Sequence, residues 1–194
     1  MSGTAFSVNT YFVGLEEELG LCDPIDIATA VPSLTGAAGR LEEVNVGQSY
    51  SAFVDYAHTP DAVSNVLAAS REFTTGKIIA VLGCGGDRDA TKRPLMGEAA
   101  AAHADVVLVT DDNPRSEDPA AIRAAVMMGC PEATEVADRA EAILRGVDAL
   151  GPGDALLIAG KGHESGQIVG DTVFPFDDVE QASVAVAALD GRPA

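Results

Sequence analysis

The 194-residue sequence contains no tryptophan, and only 5% of it is aromatic. Its core is therefore expected to be built mainly from Ala, Val, Leu and Ile, within an apolar content of 47%. No stretch approaches 18 consecutive apolar residues, so no segment is expected to span a membrane. The start, Met1-Ser2-Gly3-Thr4-Ala5, lacks the basic residues and apolar run of a secretory signal. Cysteine is scarce. Cys22, Cys84 and Cys130 are an odd number without C-x-x-C spacing, which argues against a disulfide framework and a zinc site. These features together lead us to expect a cytoplasmic protein. Lysine occurs only at Lys77, Lys92 and Lys161, and 12 basic against 30 acidic side chains leave a formal net charge of −18. That balance speaks against nucleic acid and against anionic lipid as partners, because both need basic surface.

From about residue 50 onward, short apolar runs alternate with helical patterns. Ser51–Asp55, Lys77–Leu82, Val106–Thr110 and Ala155–Ala159 read as strands, the second and fourth apolar almost throughout. Helices are expected over Asp61–Phe73, Pro94–His103, Pro119–Met128, Asp138–Leu150 and Val179–Leu189. The stretch Q-I-V-G-D-T-V-F suggests a hairpin turning at Gly170-Asp171. This order predicts an α/β fold with a mostly parallel sheet covered by helices on both faces. Such sheets place ligands outside the carboxyl ends of their strands. Residues 1–38 differ: Tyr11, Phe12, Leu15 and Leu19 suggest one helix, and Ile25, Ile27 and Val31 a shorter one. Thr35–Arg40 reads as a hinge or linker.

Four polar motifs fall at strand ends. Asp55-Tyr56-Ala57-His58-Thr59-Pro60 combines an acid, a phenol and an imidazole. It suits nucleotide contact, with Asp55 accepting from hydroxyls and His58 near phosphate; helix capping by Thr59-Pro60 explains part of it equally well. Gly83-Cys84-Gly85-Gly86-Asp87-Arg88-Asp89, followed by Lys92-Arg93-Pro94, offers close backbone approach and three basic residues, an anion-binding combination. In Asp111-Asp112-Asn113-Pro114-Arg115-Ser116-Glu117-Asp118-Pro119, capping accounts for Asp118 and Pro119 but leaves Arg115 unexplained. An arginine there can grip a carboxylate through two parallel hydrogen bonds, while neighbouring acids accept from an ammonium. The fourth, Gly160-Lys161-Gly162-His163-Glu164, reads either as a cation-accepting turn or as a solvated surface loop. His103, late in an alanine-rich helix, is assigned no role.

Taken in order, D-Y-A-H-T-P, G-C-G-G-D-R-D-x-x-K-R-P, D-N-P-R-x-E-D-P and G-K-G-H-E closely resemble the Mur ligase family, over roughly residues 39–182, with G-R-L-E at 39–42 and P-F-D-D at 175–178. The resemblance implies that residues 39–194 form the family's Rossmann-like carboxy-terminal domain, which holds an incoming amino acid. It implies a part in cytoplasmic peptidoglycan synthesis, in a ligase adding meso-diaminopimelate to UDP-MurNAc-L-Ala-D-Glu. ATP would phosphorylate a carboxylate to an acyl phosphate, the amine would displace phosphate, and Mg2+ would support the transfer. Carried over by position, Asp112, Asn113, Pro114 and Arg115 with Arg88, Gly160 and Glu164 are the expected diaminopimelate contacts. Arg40, Asp55 and His58 are the expected nucleotide contacts.

The resemblance also has departures. No G-x-x-x-x-G-K-[ST] phosphate loop occurs in the chain. Residues 1–38 are expected to be a helical remnant like the end of the family's central ATPase domain, though Phe6-Ser7-Val8-Asn9-Thr10 does not keep that region's asparagine register. ATP, magnesium and the UDP-linked substrate are therefore expected to be bound mostly by domains outside this chain, and ligation by the 194 residues alone is not expected. A detached module that binds diaminopimelate or a nucleotide without catalysis is the alternative. A lysine- or glutamate-adding relative is a third reading, and Arg115 argues against the lysine-adding one.

Overall fold

The structure, a computed structural model, describes residues 37–190. The two helices expected before residue 36 lie outside the described residues, as does Cys22. In chain order the elements are β1 (Glu42–Glu43), β2 (Ser51–Asp55), α1 (Pro60–Arg71), β3 (Ile78–Leu82), α2 (Lys92–His103), β4 (Val106–Val109), α3 (Pro119–Met127), β5 (Thr134–Glu135), α4 (Arg139–Asp148), β6 (Ala155–Ala159), β7 (Gly166–Val169), β8 (Thr172–Pro175) and α5 (Asp178–Asp190). Strands 1–6 form one sheet in the order β1-β2-β6-β3-β4-β5, and β7-β8 form a separate hairpin. Only β1 runs antiparallel in the large sheet. The α/β class with helices on both faces is as expected.

Sequence chemistry accounts for the boundaries. Thr59 Oγ1 accepts from the Ala62 N–H with Pro60 opening α1, Asp118 accepts from Ala120 with Pro119 opening α3, and Asp138 accepts from Glu141 to start α4. β3 and β6 are buried at every residue because each has a strand on both sides and helices above and below. Their alternate residues feed two cores. Ile78, Ala80 and Leu82 join Leu67 of α1, Met96 of α2 and Ile122 of α3 on one face. Ile79 and Val81 join Ile143 of α4 and Val186 of α5 on the other. The two-residue edge strands β1 and β5 were not anticipated. Each is too short to carry a period-two pattern.

Register then builds the site. Asp55 and Leu82 both pair with Ala159, and Leu82 pairs with Val109. The last residues of β2, β6, β3 and β4 thus stand in one row, and the four turns that follow them lie side by side. Beneath that row, Arg139 and Asp178 form a wholly buried pair. Arg139 Nε and Nη2 donate to the two Asp178 oxygens at 2.8 and 2.7 Å, and Nη2 also donates to the Ala159 carbonyl at 3.0 Å. The pair fastens α4 and α5 to the carboxyl end of β6. Removing one partner strands the other charge in the interior. Asp178→Ala is therefore expected to lose about 3–5 kcal/mol of unfolding free energy in urea titration. The apolar double replacement Arg139→Met/Asp178→Leu is expected to lose less than the single variant.

Candidate functional site

At the carboxyl ends of β2, β3, β4 and β6 a cavity of about 320 Å³ opens, lined by residues of all four polar motifs. Of the seven residues expected to contact an amino acid, Arg88, Asp112, Asn113, Arg115, Gly160 and Glu164 line it together. Pro114 does not line it. Its carbonyl lies over Gly86, where a Cβ would stand 1.9 Å from that oxygen. The glycine-rich turn after β3 and the turn after β4 are thus packed backbone to backbone, and Gly86 N–H donates to the Asn113 carbonyl at 2.9 Å.

Arg115 adopts φ +53, in the left-handed region. Its N–H donates to the Ile168 carbonyl at 3.0 Å and its carbonyl accepts from Gly170 at 2.8 Å. The hairpin therefore holds the residue in this conformation. Its Nη1 donates to the Gly86 carbonyl at 2.9 Å and, longer, to the Asn113 carbonyl at 3.4 Å, which aims the guanidinium along the cavity wall. Asn113 is buried and fully engaged. Its Oδ1 accepts from Lys161 Nζ at 3.0 Å and from the Ile168 N–H at 2.9 Å, while Nδ2 donates to Glu164 Oε2 at 2.8 Å. Asp112 is buried beside Gly160, whose φ of +115 and missing side chain make room for it.

Charge pairing sorts the arginines. Arg71, Arg93, Arg123, Arg139 and Arg145 each have a carboxylate partner. Among the described residues, Arg40, Arg88 and Arg115 have none, and all three lie at the carboxyl edge of the sheet. Lys92 is likewise without a carboxylate, its Nζ donating to the His58 carbonyl at 2.8 Å. In so acidic a chain, free cations collected at one edge mark a place kept for an anion. α2 adds to this, opening on Lys92-Arg93 with no acid in its first turn.

The three expected nucleotide residues are arranged less uniformly. His58 lines the cavity, with Nδ1 2.8 Å from the Tyr56 carbonyl and its ring 4.6 Å from that of Tyr56. The Arg40 guanidinium stands 5.5 Å from the Tyr56 ring centre. Asp55 turns inward instead, and its two oxygens accept from the Leu41 and Ala57 N–H groups at 2.7 Å each. Burial raises its pKa, and those backbone donors oppose the rise. The carboxylate thus fastens the residues before β1 to the turn after β2.

Tyr56 and Lys161 were not singled out as site residues. Tyr56 lines the cavity, and only the fold shows its ring in tilted contact with those of His58 and His163. Lys161 is completely buried. The two glycines around it were legible, but not the direction in which they would turn the side chain. No group of three His, Cys, Asp or Glu side chains among the described residues is placed to hold a metal ion. No described helix is long and apolar enough to cross a membrane.

The fold and site define a class: an α/β domain that gathers a mixed-charge pocket at the carboxyl edge of a parallel sheet. The protein-family model for the Mur ligase glutamate ligase domain matches residues 39–162, and the chain belongs to the Mur ligase family. It is 57% identical over 163 residues to the UDP-N-acetylmuramoyl-L-alanyl-D-glutamate–2,6-diaminopimelate ligase of Agrobacterium fabrum, covering 84% of this chain and 33% of that protein. It is 52% identical over 177 residues to the ligase of the same name from Caulobacter vibrioides, covering 88% of this chain and 36% of that one. The chain thus spans about a third of the length of the curated relatives it matches. A solved structure of a ligase of that name aligns with TM-score 0.74 and 40% identity over 91% of this chain and 37% of its own. Folylpolyglutamate synthase of Mycobacterium tuberculosis, solved with ADP and AMPPCP, shares the fold at TM-score 0.56 and 22% identity, over 92% of this chain and 38% of its own.

Cys84 also lines the cavity, yet it is 4% exposed and burial pushes its thiol pKa up to about 11. At pH 8 only about one thiol in a thousand would be thiolate. Cys84 is expected to react with iodoacetamide at least 100-fold more slowly than free cysteine in the native chain, and at an ordinary rate in urea. Mass spectrometry of timed samples reads both.

Proposed function

We propose that this chain is the amino-acid-binding part of an ATP-dependent ligase that joins meso-diaminopimelate to UDP-MurNAc-L-Ala-D-Glu in cytoplasmic peptidoglycan synthesis. The observation that carries the reading is the pair of carboxylate-free arginines, Arg88 and Arg115, in one cavity with Asp112, Asn113 and Glu164. Diaminopimelate carries two ammonium and two carboxylate groups. A pocket with guanidinium groups on one wall and carboxylates on another complements it. Arg115 takes a carboxylate that lysine lacks. With lysine bound, the guanidinium would be desolvated and unpaired, which is the strong form of discrimination.

ATP, when bound, supplies the phosphoryl group that turns the acceptor's carboxylate into an acyl phosphate. The residues of this chain orient the nucleophile. Glu164 and Asp112 accept from its ammonium groups, and Arg88 and Arg115 fix its carboxylates. The amine, once deprotonated, is then presented to the acyl carbon, and phosphate leaves. Arg40, His58 and Lys92 suit the anionic side of a nucleotide, because none is paired with a carboxylate. Asp55 has its oxygens on backbone N–H groups and contributes by shaping this edge. Magnesium would be held mostly by parts of the ligase outside this chain, where it would support the phosphoryl transfer.

Calorimetry on the 194-residue chain tests the reading. The wild type is expected to bind meso-diaminopimelate at least tenfold more tightly than L-lysine. Arg115→Ala is expected to lose about 1.5–3 kcal/mol toward diaminopimelate and to tighten lysine binding, narrowing that ratio from both sides, because no guanidinium is left to be stranded. Equal diaminopimelate affinity in variant and wild type would remove the assignment.

A further inference from the structure

Lys161 belongs to the turn after β6 but does not line the cavity. Its side chain is fully buried, and burial pushes its pKa below the ordinary lysine value, against the pull of Asp112. A buried ammonium is costly unless its surroundings are built for it. The flanking residues, Gly160 at φ +115 and Gly162 at φ +54, take conformations that favour glycine, and between them the lysine points inward.

What it meets is the Asn113 amide. Lys161 Nζ and the Ile168 N–H both donate to Asn113 Oδ1, at 3.0 and 2.9 Å. Two donors on one oxygen decide which way the amide lies, since the flipped form would set an NH2 against an ammonium and an N–H. Nδ2 is thereby turned to Glu164, donating to Oε2 at 2.8 Å. Lys161 Nζ itself stands 3.6 Å from the same oxygen. Four charged groups surround the lysine. Arg139 and Asp178 neutralise each other, and Asp112 and Glu164 remain, of which Lys161 offsets one.

We propose that Lys161 is a positioning residue for amino-acid recognition: a buried cation that locks the Asn113 amide and, through it, aims the Glu164 carboxylate at the substrate's ammonium. The proposal rests on the reading of the cavity as an amino-acid site. It involves no bond change and no proton transfer.

A double-mutant cycle on the 194-residue chain, read by calorimetry with meso-diaminopimelate, tests it. Lys161→Met removes the cation and keeps most of the volume. It is expected to weaken binding about 10- to 100-fold, and Asn113→Ala by a similar factor. Because the lysine acts through the asparagine, the double variant is expected to bind within about threefold of the weaker single variant. Losses that multiply, or a Lys161→Met that binds like wild type, would overturn the proposal. Lys161→Met is expected to lower the melting temperature to some extent in either case, because it leaves Asp112 without the cation that offsets it, so the coupling with Asn113→Ala is what separates positioning from support of the fold. A melting temperature that falls along with affinity, in a cycle without coupling, assigns a structural role and overturns it. Should Lys161→Met fail to fold, Lys161→Gln takes its place, and the same coupling with Asn113→Ala is required. Absence of any binding by the wild type would overturn the cavity reading and this proposal together. Tight wild-type binding beside an indifferent Lys161 variant would overturn this proposal alone.

Discussion

The side-chain amide of Asn113 is where three turns become one pocket. Its partners come from the turn after β6 and from the hairpin that follows, 48 to 55 residues away in sequence. Between β4, which leads to Asn113, and β6, which leads to Lys161, lies β3. The amide therefore finds its partners only after the parallel sheet is complete and in register. No local segment can hold this arrangement alone. Its burial raises the stakes, because a polar group out of water loses more from a missing partner than it gains from a present one.

Electrostatics follows the same geometry. The acidic surplus satisfies five of the described arginines and leaves Arg40, Arg88 and Arg115 at the carboxyl edge. Pairing them would have been easy in so acidic a chain. Asp87 shows how it is avoided. It stands between Arg88 and the Arg115 turn, yet both of its oxygens are taken by Ser116, at its N–H and its hydroxyl. Glu117 is similarly held by Arg93 and the Asp87 N–H. The nearby carboxylates are occupied in bracing the two turns, so the guanidinium groups stay available to a ligand.

The chemistry of short stretches was legible in the sequence, and the consequences of long-range pairing were not. Thr59-Pro60 and Asp118-Pro119 announced helix starts because a cap is a contact within three residues. Continuous apolar runs announced β3 and β6 as central strands, and Gly170-Asp171 announced the hairpin. Arg88, Asp112, Asn113, Arg115, Gly160 and Glu164 were legible as candidates by composition and by resemblance, and the fold brings them into one cavity. The inward turn of Asp55 was hidden, since a strand-end acid reads the same whether it faces solvent or the Leu41 N–H. Lys161 was hidden for the same reason. β1 and β5 exist only through their pairing with neighbours, so two residues of sequence could not disclose them.

The left-handed backbone of Arg115 shows what the fold spends on direction. A non-glycine residue at φ +53 costs on the order of 1–3 kcal/mol, and glycine there would avoid it. Glycine would also remove the guanidinium. The strain is offset by the two backbone hydrogen bonds to β7 and to the hairpin turn, at Ile168 and Gly170. Those bonds use no side-chain atom of Arg115. Backbone conformation and side-chain recognition are therefore held by separate contacts at the same residue. In the proposed reading, the hairpin and the Asn113 amide supply the rigidity, and the side chains on the cavity wall are left to decide which amino acid enters.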